Sequence, residues 1–174
     1  MLNLKYSLVW IALAVTLIVF SFTSCSIKYT FTGASISPDV KTVSIDYYQN
    51  YAPLVNPNLS STFTEALKDR FITQTSLTLV KEYGDLQFSG QITGYAISPI
   101  AILGNETAAQ NRLTITVKVK FVNAKDEKQS FEKSFSQFSD FPGDKDFSSI
   151  ESEQVKIIVD KLIDEIFNSS IANW

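Results

Sequence analysis

Residues 112–121, Arg-Leu-Thr-Ile-Thr-Val-Lys-Val-Lys-Phe, decide the fold of this chain. Every second residue of the segment is apolar, namely Leu113, Ile115, Val117, Val119 and Phe121. Because successive side chains of a β-strand point to opposite faces, this alternation predicts a strand with one buried and one polar face. Such strands are typical of antiparallel sheets that bury only one of their two faces.

Further strands are predicted on both sides of this segment. Residues 86–96 alternate over a similar length, with apolar or small residues at the even positions and polar residues or Tyr95 at the odd ones. The turn-rich segment 50–57 and the loop 99–109 interrupt the pattern. Shorter runs predict strands at residues 42–47, 77–80 and 130–139.

Two amphipathic helices complete the predicted fold. A four-residue apolar period predicts the first helix from about Asn58 to Gln74, opened by Asn56-Pro57 or by a later capping box, Thr62-x-x-Glu65. A second capping box, Ser148-x-x-Glu151, opens the other helix. Its apolar stripe consists of Val155, Ile158, Val159, Leu162 and Ile166. The order of elements predicts an α+β fold, in which two helices pack on one face of a mostly antiparallel, mixed sheet of about four strands.

The N-terminal segment has the pattern of a lipoprotein signal peptide. Lys5 precedes an apolar run from Leu8 to Phe22, which is shorter than the roughly 20 residues that span a bilayer. Small residues then lead to Cys25, the only cysteine, as in the sequence at which bacterial lipoproteins are cleaved and lipidated. A cleaved signal ahead of an incidental cysteine and an uncleaved membrane anchor are the alternatives.

This pattern predicts three regions. Residues 1–24 form the signal peptide, residues 25–40 the lipidated N-terminus and tether, and residues 41–174 a single α+β domain. Several acyl chains on one cysteine hold a protein firmly to a membrane, because each buried methylene contributes about 0.8 kcal/mol. In many bacteria, an aspartate directly after the lipidated cysteine retains a lipoprotein on the inner membrane. Here Ser26 stands at that position, which favours location in the outer membrane.

The composition excludes several classes of protein. The 174 residues are 45% apolar, enough for the core of one domain, and include no histidine. A Ser-His-Asp triad, a histidine-held metal and a disulfide framework are therefore excluded. The formal net charge of −3 is not the basic excess of a nucleic-acid-binding protein. Asp140, Asp144 and Asp146 flank a turn, but they lack the spacing of a calcium loop. We predict no enzyme activity, no metal and no cofactor beyond the covalent lipid.

Two groups of residues are candidates for binding. Arg112, Lys118 and Lys120 share the polar face of the strand predicted at residues 112–121, and they could bind an anionic lipid group. The alternative is that the lysines pair with Glu132 on the next strand or discourage edge-to-edge aggregation.

Tyr48 and Tyr51 form the second candidate group. Tyr48 has the wrong parity for the buried face of its strand, and Tyr51 falls in a loop, so both could be exposed anchors of a protein interface. Ordinary packing in the core is the alternative.

The chain from Cys25 onward resembles the lipopolysaccharide-assembly lipoprotein family LptE, in its Bacteroidetes form. The resemblance is carried by residues 29–36 (YTFTGASI), 56–69 (NPNLSSTFTEALKD), 104–117 (GNETAAQNRLTITV) and 171–174 (IANW). It implies a small domain of two helices on a four-stranded sheet, tethered to the outer membrane. It also implies a plug inside the β-barrel translocon LptD, which the plug helps to assemble and through which lipopolysaccharide reaches the cell surface.

The resemblance further implies contact with lipopolysaccharide through basic residues, without assigning them. The candidates Arg112, Lys118 and Lys120 come from strand parity alone. A polar sheet face suits the wet lumen of a barrel. The alternative function is a free-standing lipid- or glycan-binding lipoprotein that faces the periplasm without a barrel.

Overall fold

The computed structural model describes residues 36–54, 56–100 and 109–171. The predicted signal peptide 1–24, Cys25 and the tether up to residue 35 lie outside the described residues. So do residues 101–108 of the predicted loop and residues 172–174.

The described residues form six strands, two helices and one short 3-10 turn. The strands are β1 (Thr42–Ile45), β2 (Gln49–Asn50), β3 (Thr78–Val80), β4 (Leu86–Ile100), β5 (Gln110–Asn123) and β6 (Phe131–Pro142). The helices are α1 (Leu59–Gln74) and α2 (Phe147–Ile171), and the 3-10 turn is Glu127–Gln129.

The strands form one mixed sheet in the order β3-β1-β4-β5-β6, with β2 also pairing with β4. The pairs of β1 with β3 and β4 are parallel, as is the pair of β2 with β4, whereas β4, β5 and β6 are antiparallel. The predicted α+β class is confirmed, but the described part of the sheet has six strands and not about four. The strand that the sequence did not predict, β2, has two residues and so carries no periodic signal.

Both helices pack on the same face of the sheet, as predicted. Phe71 of α1 lies 4.8 Å from Phe88 of β4 and 5.1 Å from Phe167 of α2, measured between ring centroids. Phe88 in turn contacts Phe121 of β5 at 4.8 Å. The alternating apolar residues of β5, from Leu113 to Phe121, are buried beneath the helices. The core therefore lies on one side of the sheet, and neither described helix covers the other side.

The long strand β4 contains an irregularity that reverses its parity. The pairing with β5 shifts between Ile92 and Gly94, so that Thr93 is the extra residue of a β-bulge. Even-numbered residues such as Ile92 face the core before the bulge, whereas Tyr95 faces it afterwards. The prediction that Tyr95 lies on the polar face is therefore wrong.

The two predicted capping boxes are also wrong. Helix α1 begins at Leu59, before Thr62, and Oδ1 of Asn56 accepts a hydrogen bond from the backbone of Asn58 at 2.9 Å. Helix α2 begins directly after Asp146. The carboxylate of Asp146 accepts hydrogen bonds from the backbone N–H and the hydroxyl of Ser148. Glu151, the glutamate of the second box, instead accepts hydrogen bonds from Asn56 and Tyr95.

Candidate functional site

The sheet face opposite the helices is the candidate functional surface, and we call it the open sheet face. Its central strand is β5, flanked by β4 and β6 in antiparallel register, which the bulge in β4 interrupts once. It comprises Gln87, Ser89, Gln91, Thr114, Thr116, Lys118, Lys120, Val122, Glu132, Ser134, Ser136 and Phe138, and ends at Arg112 and Asp140. It is predominantly polar, as the alternation of β5 predicted.

Arg112 is on this face, and its charge is compensated. Its Nε and one terminal nitrogen donate to the two carboxylate oxygens of Asp140, at 2.7 and 2.9 Å. The guanidinium also lies over the ring of Phe138, 3.7 Å from the centroid. The bond to Asp140 raises the pKa of Arg112, and the bond to Arg112 lowers that of Asp140. A bidentate, stacked arginine is largely satisfied and has little capacity left for a ligand.

Lys118 and Lys120 lie about 20 and 27 Å from Arg112 along the strand, since six and eight residues separate them from it at about 3.4 Å each. Nζ of Lys118 is 2.6 Å from Oε1 of Glu132, and this bond lowers the pKa of Glu132. Lys120 pairs in register with Glu132, and among the described residues it has no ion pair of its own. The structure thus brings the lysines together, leaves Arg112 apart, and includes the predicted contact with Glu132.

The two candidate tyrosines occupy different environments. Tyr48 is 0% exposed, its ring packs edge-on against Phe63 at 4.9 Å, and its hydroxyl donates to the carbonyl of Ser89 at 3.2 Å. Burial raises the pKa of Tyr48 far above its usual value. The prediction that Tyr48 is an exposed anchor is therefore wrong, because β1 ends at Ile45 and its parity does not extend to residue 48. Tyr51 is 66% exposed.

A groove that the sequence did not predict crosses one end of the open sheet face. It has a volume of about 410 Å³ and we call it the Tyr83 groove. Its polar and aromatic lining includes Asp46, Glu82, Tyr83, Gln87, Ser89 and Lys120. From the sequence, residues 83–85 were recognisable only as a turn. The lining residues come from distant parts of the chain, and only the pairing of β1 with β4 brings them together.

A partly buried polar contact joins α2 and the segment before α1 to the sheet. Glu151 near the start of α2 accepts hydrogen bonds from Nδ2 of Asn56 at 2.7 Å and from the hydroxyl of Tyr95 at 2.5 Å. Burial, followed by the bond to Glu151, raises the pKa of Tyr95 far above its usual value. The phenol therefore stays protonated near neutral pH and acts as a hydrogen-bond donor that fixes α2 on β4.

Neither metal ligands nor a membrane span are evident where the structure describes the chain. Across residues 36–54, 56–100 and 109–171, no three acidic, cysteine or histidine side chains are grouped to hold a metal ion. Of the aspartates flanking the predicted turn, Asp140 binds Arg112 and Asp146 caps α2. Neither α1 nor α2 has an apolar stretch long enough to cross a bilayer.

The comparison with family sequences agrees with the fold. Residues 40–170 match the sequence model of the lipopolysaccharide-assembly family LptE. The chain belongs to the LptE family. The match covers β1 to α2 and so includes both helices and the open sheet face. It confirms the resemblance found in the sequence. Among curated proteins, no sequence matches this LptE-family chain significantly.

Three solved structures illustrate the similarity of the LptE-family domain to bacterial proteins. A minor lipoprotein from Acinetobacter baumannii is 14% identical, with a TM-score of 0.44 and coverage of 73% of this chain and 89% of that chain. The hypothetical protein CT253 from Chlamydia trachomatis is 13% identical, with a TM-score of 0.49 and coverage of 77% and 99%. The lipoprotein GNA1162 from Neisseria meningitidis is 13% identical, with a TM-score of 0.40 and coverage of 74% and 99%. The family assignment rests on the sequence match and not on these structures.

Proposed function

We propose that the protein is a non-enzymatic, lipid-anchored subunit of the lipopolysaccharide export translocon of the outer membrane. In this role it plugs an LptD-type β-barrel, assists assembly of the barrel and helps to deliver lipopolysaccharide to the cell surface. The match of residues 40–170 to the LptE family carries the proposal. No cofactor is needed beyond a covalent lipid on Cys25.

The chemistry of the open sheet face supports a plug. The lumen of a wide barrel is polar and wet, so a plug is held by hydrogen bonds, charges and a few aromatic anchors. The open sheet face offers compensated ion pairs, such as Lys118 with Glu132, and rows of serine and threonine. Tyr51 and the neighbouring Leu54 are exposed and can act as anchors at the barrel wall.

The proposed membrane anchor requires a covalent lipid on Cys25, at the end of the predicted signal peptide. We propose that residues 25–40 supply the tether, and within this range Ile36 and Val40 already pack against the core of the domain. Replacing Cys25 with Ala should leave an unlipidated precursor whose domain still folds. Loss of folding in that variant would contradict a tether that is separate from the domain.

The deciding experiment is a mild-detergent pull-down of the tagged protein from its own outer membrane, with every co-purifying chain identified. A stoichiometric large β-barrel is the expected result. The variant Tyr51→Ala should reduce the yield of the barrel, whereas Ile157→Ala, an exposed apolar residue on α2, should not. Recovery of the protein alone or with lipid only would favour the alternative, a free-standing lipid- or glycan-binding lipoprotein that faces the periplasm.

A further inference from the structure

The Tyr83 groove has the composition of a ligand site. Its volume of about 410 Å³ lies within the range of small-ligand pockets, about 300–1,000 Å³. One wall is the exposed ring of Tyr83, in the turn between β3 and β4. The floor is the open sheet face, where Gln87, Ser89 and Lys120 lie side by side. The groove is thus a hydrogen-bonding surface beside one aromatic platform.

The aromatic wall is held in an uncommon backbone conformation. Tyr83 has φ +55°, the left-handed region that a residue with a Cβ rarely adopts, and its side chain is 86% exposed. Residues with such backbone strain cluster at ligand sites, where the surrounding structure fixes them.

The turn that carries Tyr83 is fixed through the two residues that follow it, Gly84 and Asp85. Backbone N of Gly84 donates to Oγ of Ser44 at 3.2 Å, and a Cβ on Gly84 would lie only 2.5 Å from the backbone N of Ser44. The carboxylate of Asp85 accepts hydrogen bonds from the backbone of Lys41 and Thr42 and pairs with Lys125 at 3.0 Å. The backbone that carries the platform is therefore preorganised, which lowers the entropic cost of binding.

The polar groups of the groove retain hydrogen-bonding capacity. Nε2 of Gln87 donates to the carbonyl of Gly84 at 3.0 Å, which orients the amide and leaves its oxygen available. Asp46 and Glu82 are exposed carboxylates at the rim, and each can accept hydrogen bonds from the hydroxyl groups of a ligand. Several acceptors beside an aromatic face match a pyranose ring, which has hydroxyl donors at its edge and C–H groups on its face.

The charge of the groove selects the kind of saccharide. Asp46 and Glu82 outweigh Lys120, so the groove repels a phosphorylated or otherwise anionic sugar. We propose that the Tyr83 groove binds a neutral oligosaccharide, with Tyr83 stacked on one sugar ring and Gln87 and the rim carboxylates bound to its hydroxyls. The proposal does not depend on a barrel partner.

Two neutral probes test the proposal and separate the sources of such a sugar. One is chitotetraose, which has the β-1,4-linked N-acetylglucosamine backbone of cell-wall glycan. The other is dephosphorylated core oligosaccharide from the bacterium's own lipopolysaccharide. Binding to the full-length, detergent-solubilised protein is measured by calorimetry and by saturation-transfer NMR. The phosphorylated core oligosaccharide is the comparison ligand.

The variants are chosen to preserve the turn. Tyr83→Asn removes the ring but keeps a residue type that tolerates left-handed backbone, and it should weaken binding about tenfold. Tyr83→Phe keeps the ring and should change affinity less than about twofold. Tyr47→Ala removes a tyrosine that is 54% exposed but outside the groove, and it should leave binding unchanged. Urea unfolding shows that each variant is folded.

Binding of either neutral probe with this dependence on Tyr83 supports the proposal, and the probe that binds identifies the source of the sugar. Binding of neither neutral probe would overturn it. So would equal affinity of wild type and Tyr83→Asn, or a larger effect of Tyr83→Asn on binding of the phosphorylated core oligosaccharide than on binding of its dephosphorylated form.

Discussion

The ring of Tyr48 occupies the space that a side chain at Gly90 would need. A Cβ at position 90 would lie 2.8 Å from Cε1 of Tyr48 and 2.1 Å from the carbonyl oxygen of Lys118 on β5. Gly90 has φ +156°. Because Gly90 has no side chain, the ring of Tyr48 can pack against Phe63, and the hydroxyl of Tyr48 can donate to the carbonyl of Ser89. This relationship fixes the segment between β1 and β2 against β4, and Tyr51 follows directly after β2.

Gly90→Ala should therefore destabilise the protein. A methyl group there must displace the backbone of β5, so we expect a loss of more than about 1 kcal/mol in the free energy of unfolding. Gly94→Ala is the matched control, because its Cβ would come no closer than 3.0 Å to the side chain of Thr116 and 3.7 Å to its backbone nitrogen. Urea unfolding measures both. An equal effect of the two substitutions would contradict the special role of Gly90.

Leu67→Ala tests the core under α1. Leu67 is 0% exposed on the face of α1 that packs on the sheet, so its truncation should cost about 2–5 kcal/mol. Ile72→Ala, on the same helix but 49% exposed, should change the free energy of unfolding by less than about 0.5 kcal/mol. Near-wild-type stability of Leu67→Ala would refute the assignment of the buried face.

The long periodic segments were predictable because burial on one face imposes a strict period. The alternation from Leu113 to Phe121 correctly predicted which side of β5 is buried, and the four-residue period correctly predicted the position of α1. The parity of β4 was predictable only as far as Ile92, because the sequence does not reveal the bulge at Thr93. A single inserted residue moved Tyr95 from the polar face to the core.

The candidate site was less predictable, because its properties depend on contacts between strands. Parity correctly predicted that Arg112 lies on the open sheet face, but not that Asp140 and Phe138 compensate its charge. Tyr48 was misassigned because its burial depends on the missing side chain of Gly90. These partners are distant in sequence, and only the strand register brings them together.

The contacts of Asp85 predict that the folded state loses stability in acid. Hydrogen bonds from Lys41, Lys125 and Thr42 hold the pKa of the Asp85 carboxyl far below its usual value. This stabilisation is fully present above the unfolded pKa, near pH 4, and is lost as the pH falls from there through the folded pKa.

Asp85→Asn should therefore be less stable than wild type at pH 7 and should lose less stability on acidification. Urea midpoints between pH 7 and pH 3 measure both effects. Asp69→Asn, the same chemical change at an exposed position of α1, should leave the wild-type acid response in place. An unchanged acid response in Asp85→Asn would refute the role assigned to this carboxylate.

Charge reversal of Lys118 and Lys120 tests the proposed contact with lipopolysaccharide. Both lysines are exposed, and surface ion pairs contribute little, so Lys118→Glu with Lys120→Glu should change the free energy of unfolding by less than about 1 kcal/mol. Binding to purified lipopolysaccharide should nevertheless weaken severalfold at low salt, where screening is least. Lys145→Glu with Lys156→Glu makes the same change in net charge outside the open sheet face and should leave binding intact. If the variant with Lys118→Glu and Lys120→Glu binds lipopolysaccharide as wild type does, the two lysines serve only to pair with Glu132 and to discourage edge-to-edge aggregation.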